Sequence, residues 1–204
     1  MTLVEAAISS QEERVADAAI RCVGRWGVAK TTLDDVAREA GCSRATVYRL
    51  FPGGKENLLD TAVRLEVRRF LGGLVAALTE ADDVEQVLVN GIAYGSRHLR
   101  EHAALQFVLA YEPEVVLPRI AFERLDVVFD AVGLAAAPFL APYVGAEHAG
   151  RVAEWVARLV ISYTLTPSDQ FDLADEESVR ALVRGFVLPG LATSVLSTTL
   201  TKGE

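Results

Sequence analysis

The sequence predicts an all-α protein, with a three-helix N-terminal domain over residues 1–55 and a longer helical domain over residues 56–204. Three observations predict this. Apolar residues recur at three- and four-residue spacing through nearly every segment. No strand-like alternation and no internal repeat stands out. Residues 31–55, TTLDDVAREAGCSRATVYRLFPGGK, read as two short helices joined by a tight turn.

The elements follow in order. Ser10-Gln-Glu-Glu13 reads as a capping box that opens a first helix ending near Gly27. Val15, Ala18, Ala19, Cys22 and Val23 give that helix a buried face. Thr32 caps a second helix, with Asp34 and Asp35 where the helix dipole favours negative charge. Leu33, Val36, Ala37 and Ala40 share its inner face, and Gly41 ends it in a left-handed conformation. Cys42 plugs the space between helices, and Ser43 caps a third helix from Arg44 to Phe51, with Val47 and Leu50 inward. Pro52-Gly53-Gly54 stops it.

The second domain is a longer series of helices. The first runs from Glu56 to about Leu78, the next from Val84 to about Arg100 with Asp82 or Asp83 as cap, and a short one spans about Ala103–Tyr111. Pro118 fits the first turn of a new helix that carries Ala121, Phe122, Leu125, Val128, Phe129 and Val132 and closes at Gly133 and Pro138, leaving residues 138–145 as an irregular or short helical connection. A stripe from Ala149 to Tyr163 marks a helix over residues 147–164. A final helix runs from about Glu176 to Leu196, kinked at Pro189, which removes a backbone bond to Gly185.

The outer face of the third helix has the chemistry of a DNA reader. Arg44, Arg49 and Lys55 have no acid among them from Gly41 to Lys55, in a chain of net charge -8. Residues 1–60 carry eight basic and nine acidic residues and the remainder 12 and 19, so nearly all of the net negative charge lies in the remainder, which favours one defined docking surface on a polyanion. Arg44 suits a bidentate pair with guanine, and Ala45 and Thr46 suit a thymine methyl or base edge. Thr32, Ser43, Tyr48, Arg49 and Lys55 complete the surface, mainly toward phosphates, which position a protein without reading sequence.

These residues resemble the DNA-binding domain of the TetR family of bacterial transcriptional regulators. The resemblance covers residues 11–59, through Ala18-Ala19, Gly27, Thr31-Thr32-Leu33-Asp34-Asp35-Val36-Ala37, Gly41-Cys42-Ser43, Thr46-Val47-Tyr48, Phe51 and Lys55-Glu56-Asn57-Leu58-Leu59. Cys22-Val23 and Trp26 depart from its pattern, and Phe51-Pro-Gly-Gly-Lys55 holds one residue more than its commoner spacing. The resemblance implies a repressor released from a palindromic operator on double-stranded DNA by a small-molecule effector. It also implies a homodimer built from a four-helix bundle of the last two long helices. Such a dimer would read half-sites about one helical turn, ~34–36 Å, apart or at a related spacing.

Within the last two helices the apolar stripe offers Val152, Val156, Leu159, Val160, Tyr163, Leu182 and Phe186 for that interface. The family also implies an effector pocket among the C-terminal helices. Tyr94, His98, Phe107, Tyr111, Phe122, Phe129 and Trp155, aromatic or polar-tipped residues at core-like positions, are its candidates. The apolar body favours a hydrophobic or amphipathic effector. The rival readings are a helical small-molecule-binding protein without DNA-binding function and a regulator controlled by a protein partner at the acidic loop over residues 169–177.

Other classes are not indicated. His98 and His102 stand four apart, but no Cys or carboxylate completes a metal site. No catalytic arrangement and no cofactor-cradling glycine loop occurs, so an enzyme is not expected. Two cysteines without framework spacing, no basic and apolar leader, and no uninterrupted apolar run near the ~20 residues of a membrane span point to a cytoplasmic protein.

Overall fold

The computed structural model describes residues 8–118 and 125–191, and the described chain is helical without strands. Helix α1 spans Ser10–Lys30, α2 Leu33–Glu39, α3 Arg44–Leu50, α4 Gly54–Thr79, α5 Val84–Glu101, α6 Ala103–Tyr111, α7 Pro113–Pro118, α8 Leu125–Val144, α9 Ala146–Leu165 and α10 Glu176–Leu182, followed by a π-helical turn Val183–Val187.

Packing divides the chain into two compact units. Residues 1–69 with 101–125 form one, and residues 70–100 with 126–204 form the other. The first unit therefore takes in α6, α7 and part of α4 beside the three N-terminal helices. Its helix-turn-helix core is Val15, Ala18, Ala19, Cys22, Val36, Ala37, Ala40, Val47, Phe51 and Leu58. A second patch of Val23, Ala104 and Val108 joins α1 to α6. Gly24 permits this approach, because a Cβ there would stand 3.3 Å from the Ala104 amide nitrogen. The second unit has one core, drawn from α5, α8, α9, α10 and the end of α4.

Local chemistry explains the boundaries. The first cap is Ser9, one residue earlier than the spacing at Ser10 suggests: Ser9 Oγ accepts from the Glu12 amide and Glu12 returns a bond to the Ser9 amide. In that register Ile8 packs beside Ala16, Ala62 and Leu65. Helix α1 breaks at Gly27 (φ 83°, ψ 171°) and then adds one more turn. Gly41 (φ 65°) closes α2, with the Cys42 amide on the Ala37 carbonyl at 2.9 Å and the Gly41 amide on Arg38 at 3.2 Å, the paired bonds of a Schellman end.

Three expectations for the C-terminal helices are corrected. Pro118 does not stand in the first turn of a helix: it is the last described residue of α7, which opens at Pro113. Gly133 and Pro138 do not close α8, which continues through Pro138 and Pro142 to Val144 and absorbs the stretch expected as a connection. Its face of Phe129, Val132, Ala136, Leu140 and Val144 is buried, and that burial outweighs the backbone bonds the prolines remove. Ahead of Pro189 the chain widens into the π turn, with the Leu188 amide bonded to the Val183 carbonyl. The α8 stretch Asp126–Val144 is long and apolar enough to cross a membrane by length and composition, with mean hydropathy 1.7; it also supplies that buried face.

Candidate nucleic-acid interface

The recognition surface is built by two caps and one turn. Thr32 Oγ1 accepts the Asp35 amide at 3.2 Å, while the Asp35 carboxylate takes the Thr32 hydroxyl at 2.5 Å and its amide at 3.2 Å. This bonding, the hydroxyl first, holds the Asp35 carboxyl below the usual carboxylate range. Ser43 Oγ accepts the Thr46 amide at 3.1 Å and lies 3.0 Å from Thr46 Oγ1. Glu39 anchors α2 to α1 through Arg21 at 2.7 Å and Arg25 at 2.9 Å; these bonds, Arg21's first, hold its carboxyl low. The whole face is therefore set by backbone bonding and by Val47, which is fully buried beneath it.

On this face Arg44, Ala45 and Tyr48 are exposed and Thr46 is half-buried. The Arg44 guanidinium is not free. Its Nη1 donates to Asp34 Oδ2 at 2.9 Å and its Nη2 to the Tyr48 hydroxyl at 3.1 Å, with Cζ 5.3 Å from the Tyr48 ring centroid. The Tyr48 bond and then the Asp34 charge push the Arg44 pKa up. Arg49 Nη2 donates to Gln11 Oε1 at 3.5 Å.

Lys55 makes backbone contacts that the sequence alone did not indicate. Gly54 (φ 70°) closes a turn on the Phe51 carbonyl at 2.8 Å. The Lys55 ammonium then donates to the Val28 carbonyl at 2.5 Å and to Ala29 at 3.4 Å. An ammonium has three donors, so one is left for an anion at the start of α4.

This geometry agrees with the comparisons. Residues 15–62 match the sequence profile of the tetR family of bacterial regulatory proteins. That stretch is thus a TetR-family DNA-binding domain. An HTH-type transcriptional regulator of Mycobacterium tuberculosis is 28% identical over 180 residues, covering 87% of this chain and 83% of that one. The HTH-type transcriptional regulator BetI of Agrobacterium fabrum is 36% identical over 78 residues, 38% of this chain and 37% of its own. Among solved structures, the TetR family repressor AlkX from Dietzia has the same fold at TM-score 0.67 and 21% identity, covering 93% of this chain and all of that one. The fatty acid degradation regulator FadR from Bacillus halodurans gives 0.63 and 18%, covering 90% and 99%.

This chain is thus a DNA-binding transcriptional regulator, and transcriptional regulators of the TetR family are not enzymes. Regulators of the family act as dimers, and they are soluble and typically cytoplasmic.

The expected effector residues fall into separate groups. In the second unit Tyr94 and His98 stack at 5.8 Å, both against Phe70, and the Tyr94 hydroxyl donates to the Phe70 carbonyl at 3.1 Å. Burial pushes the Tyr94 hydroxyl's pKa up. Phe129 is buried with the Arg158 guanidinium 4.3 Å from its ring centroid, a core position. In the first unit Phe107 and Tyr111 meet at 4.8 Å, with Tyr111 exposed. Phe122 lies outside the described residues. Sequence reasoning passed over Ser96, whose buried hydroxyl has no hydrogen-bond partner among the described residues.

The two histidines do different work. His98 stacks as above. His102 caps α6 by accepting the Leu105 amide at Nδ1, 3.1 Å, so Nε2 bears the proton and donates to Glu66 at 3.0 Å. Both ring nitrogens are engaged, which leaves no lone pair for a metal.

The expected dimer residues also divide. Val160 and Leu182, at 6% and 4% exposure, are buried in the protomer's own core. Helical phase alone did not separate them from their neighbours, because the face of α9 that meets α5 also carries Val160, packed on Gly95. Val152, Val156, Leu159 and Tyr163 are half-buried, and Phe186 is 70% exposed. An open groove of about 240 Å³ runs along Trp155, Leu159, Tyr163, Phe171, Leu182, Phe186 and Val187. Phe171, edge-on to Phe186 at 6.0 Å, comes from the loop before α10 and had no periodic signal.

Proposed function

We propose that this chain is a homodimeric repressor that binds a palindromic operator and leaves it when a hydrophobic or amphipathic effector binds. In this reading residues 1–55 engage DNA, with Thr32, Ser43, Arg44, Ala45, Thr46, Tyr48, Arg49 and Lys55 as the surface. Residues 56–204 bind the effector and dimerise, and the protein works in the cytoplasm. The observation that carries the reading is the exposed face of α3, where an arginine, a tyrosine and small side chains stand on a rigidly capped helix, as major-groove reading requires.

The dimer reading is supported by the exposed aromatic band of Trp155 and Phe186 beside half-buried Leu159 and Tyr163. The effector reading is supported by the apolar second core, with the polar side chains Tyr94, His98 and Ser96 beside it. An effector acts by preferring one state: about 5.5 kcal/mol of differential binding moves a population from 1:99 to 99:1.

Selection of bound sequences from a random double-stranded DNA pool, with the purified protein at moderate salt, tests the proposal. An enriched palindrome supports a dimeric, sequence-reading regulator, and the same DNA then reports effectors by its release. Arg44→Ala should weaken binding and relax preference at one position of the half-site by about 1–3 kcal/mol. A folded protein that enriches nothing overturns the operator reading.

A further inference from the structure

We propose that Asp34 is a specificity-determining residue, whose carboxylate withholds Arg44 from phosphate and yields it to a guanine edge. The inference rests on the reading of α3 as the recognition helix. Asp34 stands in the first turn of α2, and Arg44 is the first residue of α3. The Schellman turn at Gly41 brings them together, at 2.9 Å. The guanidinium is held at a second point by the Tyr48 hydroxyl and lies near that ring. Asp34 has no part in capping α2, which Thr32 and Asp35 perform.

The consequence is an exchange that favours one kind of acceptor. A phosphate oxygen that takes Arg44 replaces one anionic oxygen by another and brings its charge near the Asp34 carboxylate, so it gains little. Guanine offers the N7 and O6 acceptors in one plane without a net charge, so the same exchange adds no negative charge beside Asp34. Side chains half open to water, as Asp34 at 49% and Arg44 at 61% are, keep the exchange cheap enough to occur on binding. Asp34 thereby lowers affinity for arbitrary DNA more than it lowers affinity for the operator.

The test uses the full chain and the sequence recovered by selection. Dissociation constants are measured for that site and for an unrelated duplex, with wild type, D34N, R44A and the double variant, after circular dichroism shows equal helicity. D34N should bind the unrelated duplex about three- to fivefold tighter, the scale of one exposed ion pair, while the selected site gains less, so the specificity ratio falls. In the R44A background D34N should shift both duplexes alike, because its selective effect runs through Arg44. Equal shifts of both duplexes with Arg44 present, or an unchanged fall in ratio without it, would make Asp34 a surface charge only. If R44A leaves the sequence preference intact, the base-reading role of Arg44 itself fails, a result separate from the behaviour of D34N.

Discussion

The Glu112 carboxylate occupies the place that a side chain at Gly27 would need. A Cβ on Gly27 would come within 2.6 Å of Glu112 Oε1. The break at Gly27 frees the next amides from α1, and Glu112 accepts both, Val28 at 2.5 Å and Ala29 at 3.0 Å. The Lys55 ammonium sits on the carbonyls of the same two residues. Thr31 adds a bond from its buried hydroxyl to the Gly27 carbonyl at 2.6 Å. One short turn thus joins α1 to the end of α6 and to the start of α4, with an acid on its amides and a base on its carbonyls.

Gly27→Ala should therefore destabilise the first unit twice over. A β-carbon is strained at φ 83°, ψ 171° by about 1–3 kcal/mol, and it collides with the carboxylate. Glu112→Ala removes the collision and two charge-assisted bonds, worth about 1.5–3 kcal/mol each. Urea unfolding of the two single variants and the double variant should show less than additive loss, because the steric part of Gly27→Ala vanishes without Glu112. Strict additivity would mean that the two residues do not share this space.

Lys55→Gln should act on stability and on DNA together. The loss of a charged donor from the Val28 and Ala29 carbonyls should cost about 1 kcal/mol in urea. If the remaining donor meets a phosphate, affinity should fall for all sequences alike, with the salt slope reduced by about one. A stability loss with an unchanged salt slope would confine Lys55 to the turn.

Leu182 and Phe186, one helical turn apart, should respond in opposite ways. Leu182→Ala opens a cavity in the second core and should cost about 2–5 kcal/mol in stability. Phe186→Asp, at a largely exposed position, should leave the folded protomer intact but shift sedimentation from dimer toward monomer. A dimer that survives Phe186→Asp would move the interface away from the groove.

The legibility of these features in the sequence followed the range of the interactions. Thr32, Gly41 and Ser43 act within four residues of themselves, and their roles in ending and starting helices were readable from spacing. So was the break at Gly27, but not its partner, because Glu112 lies 84 residues from Val28. Asp34 looked like a dipole acid because its partner is ten residues away across a turn. In α8 Gly133 and Pro138 argued for a helix end, and burial of one face overrode them. In α9 and α10 apolar phase identified a stripe but did not say which part faces the protomer's own core, so Val160 and Leu182 were grouped with exposed Phe186.

Glu66 gives the fold a defined acid response. The His102 bond at 3.0 Å lowers its pKa most, against burial, which raises it, and the Arg69 charge lowers it further. A carboxyl depressed on folding contributes stability that is complete above its ordinary value of 4.5 and is lost as pH falls through the lower folded value. The stability difference between wild type and Glu66→Gln should therefore be constant at neutral pH and shrink progressively below pH 4.5. Urea midpoints across that acid window measure it. The amide variant keeps an acceptor for His102 Nε2 and removes only the charge, so a difference that stays flat through the window would show that Glu66 carries no depressed pKa in the folded protein.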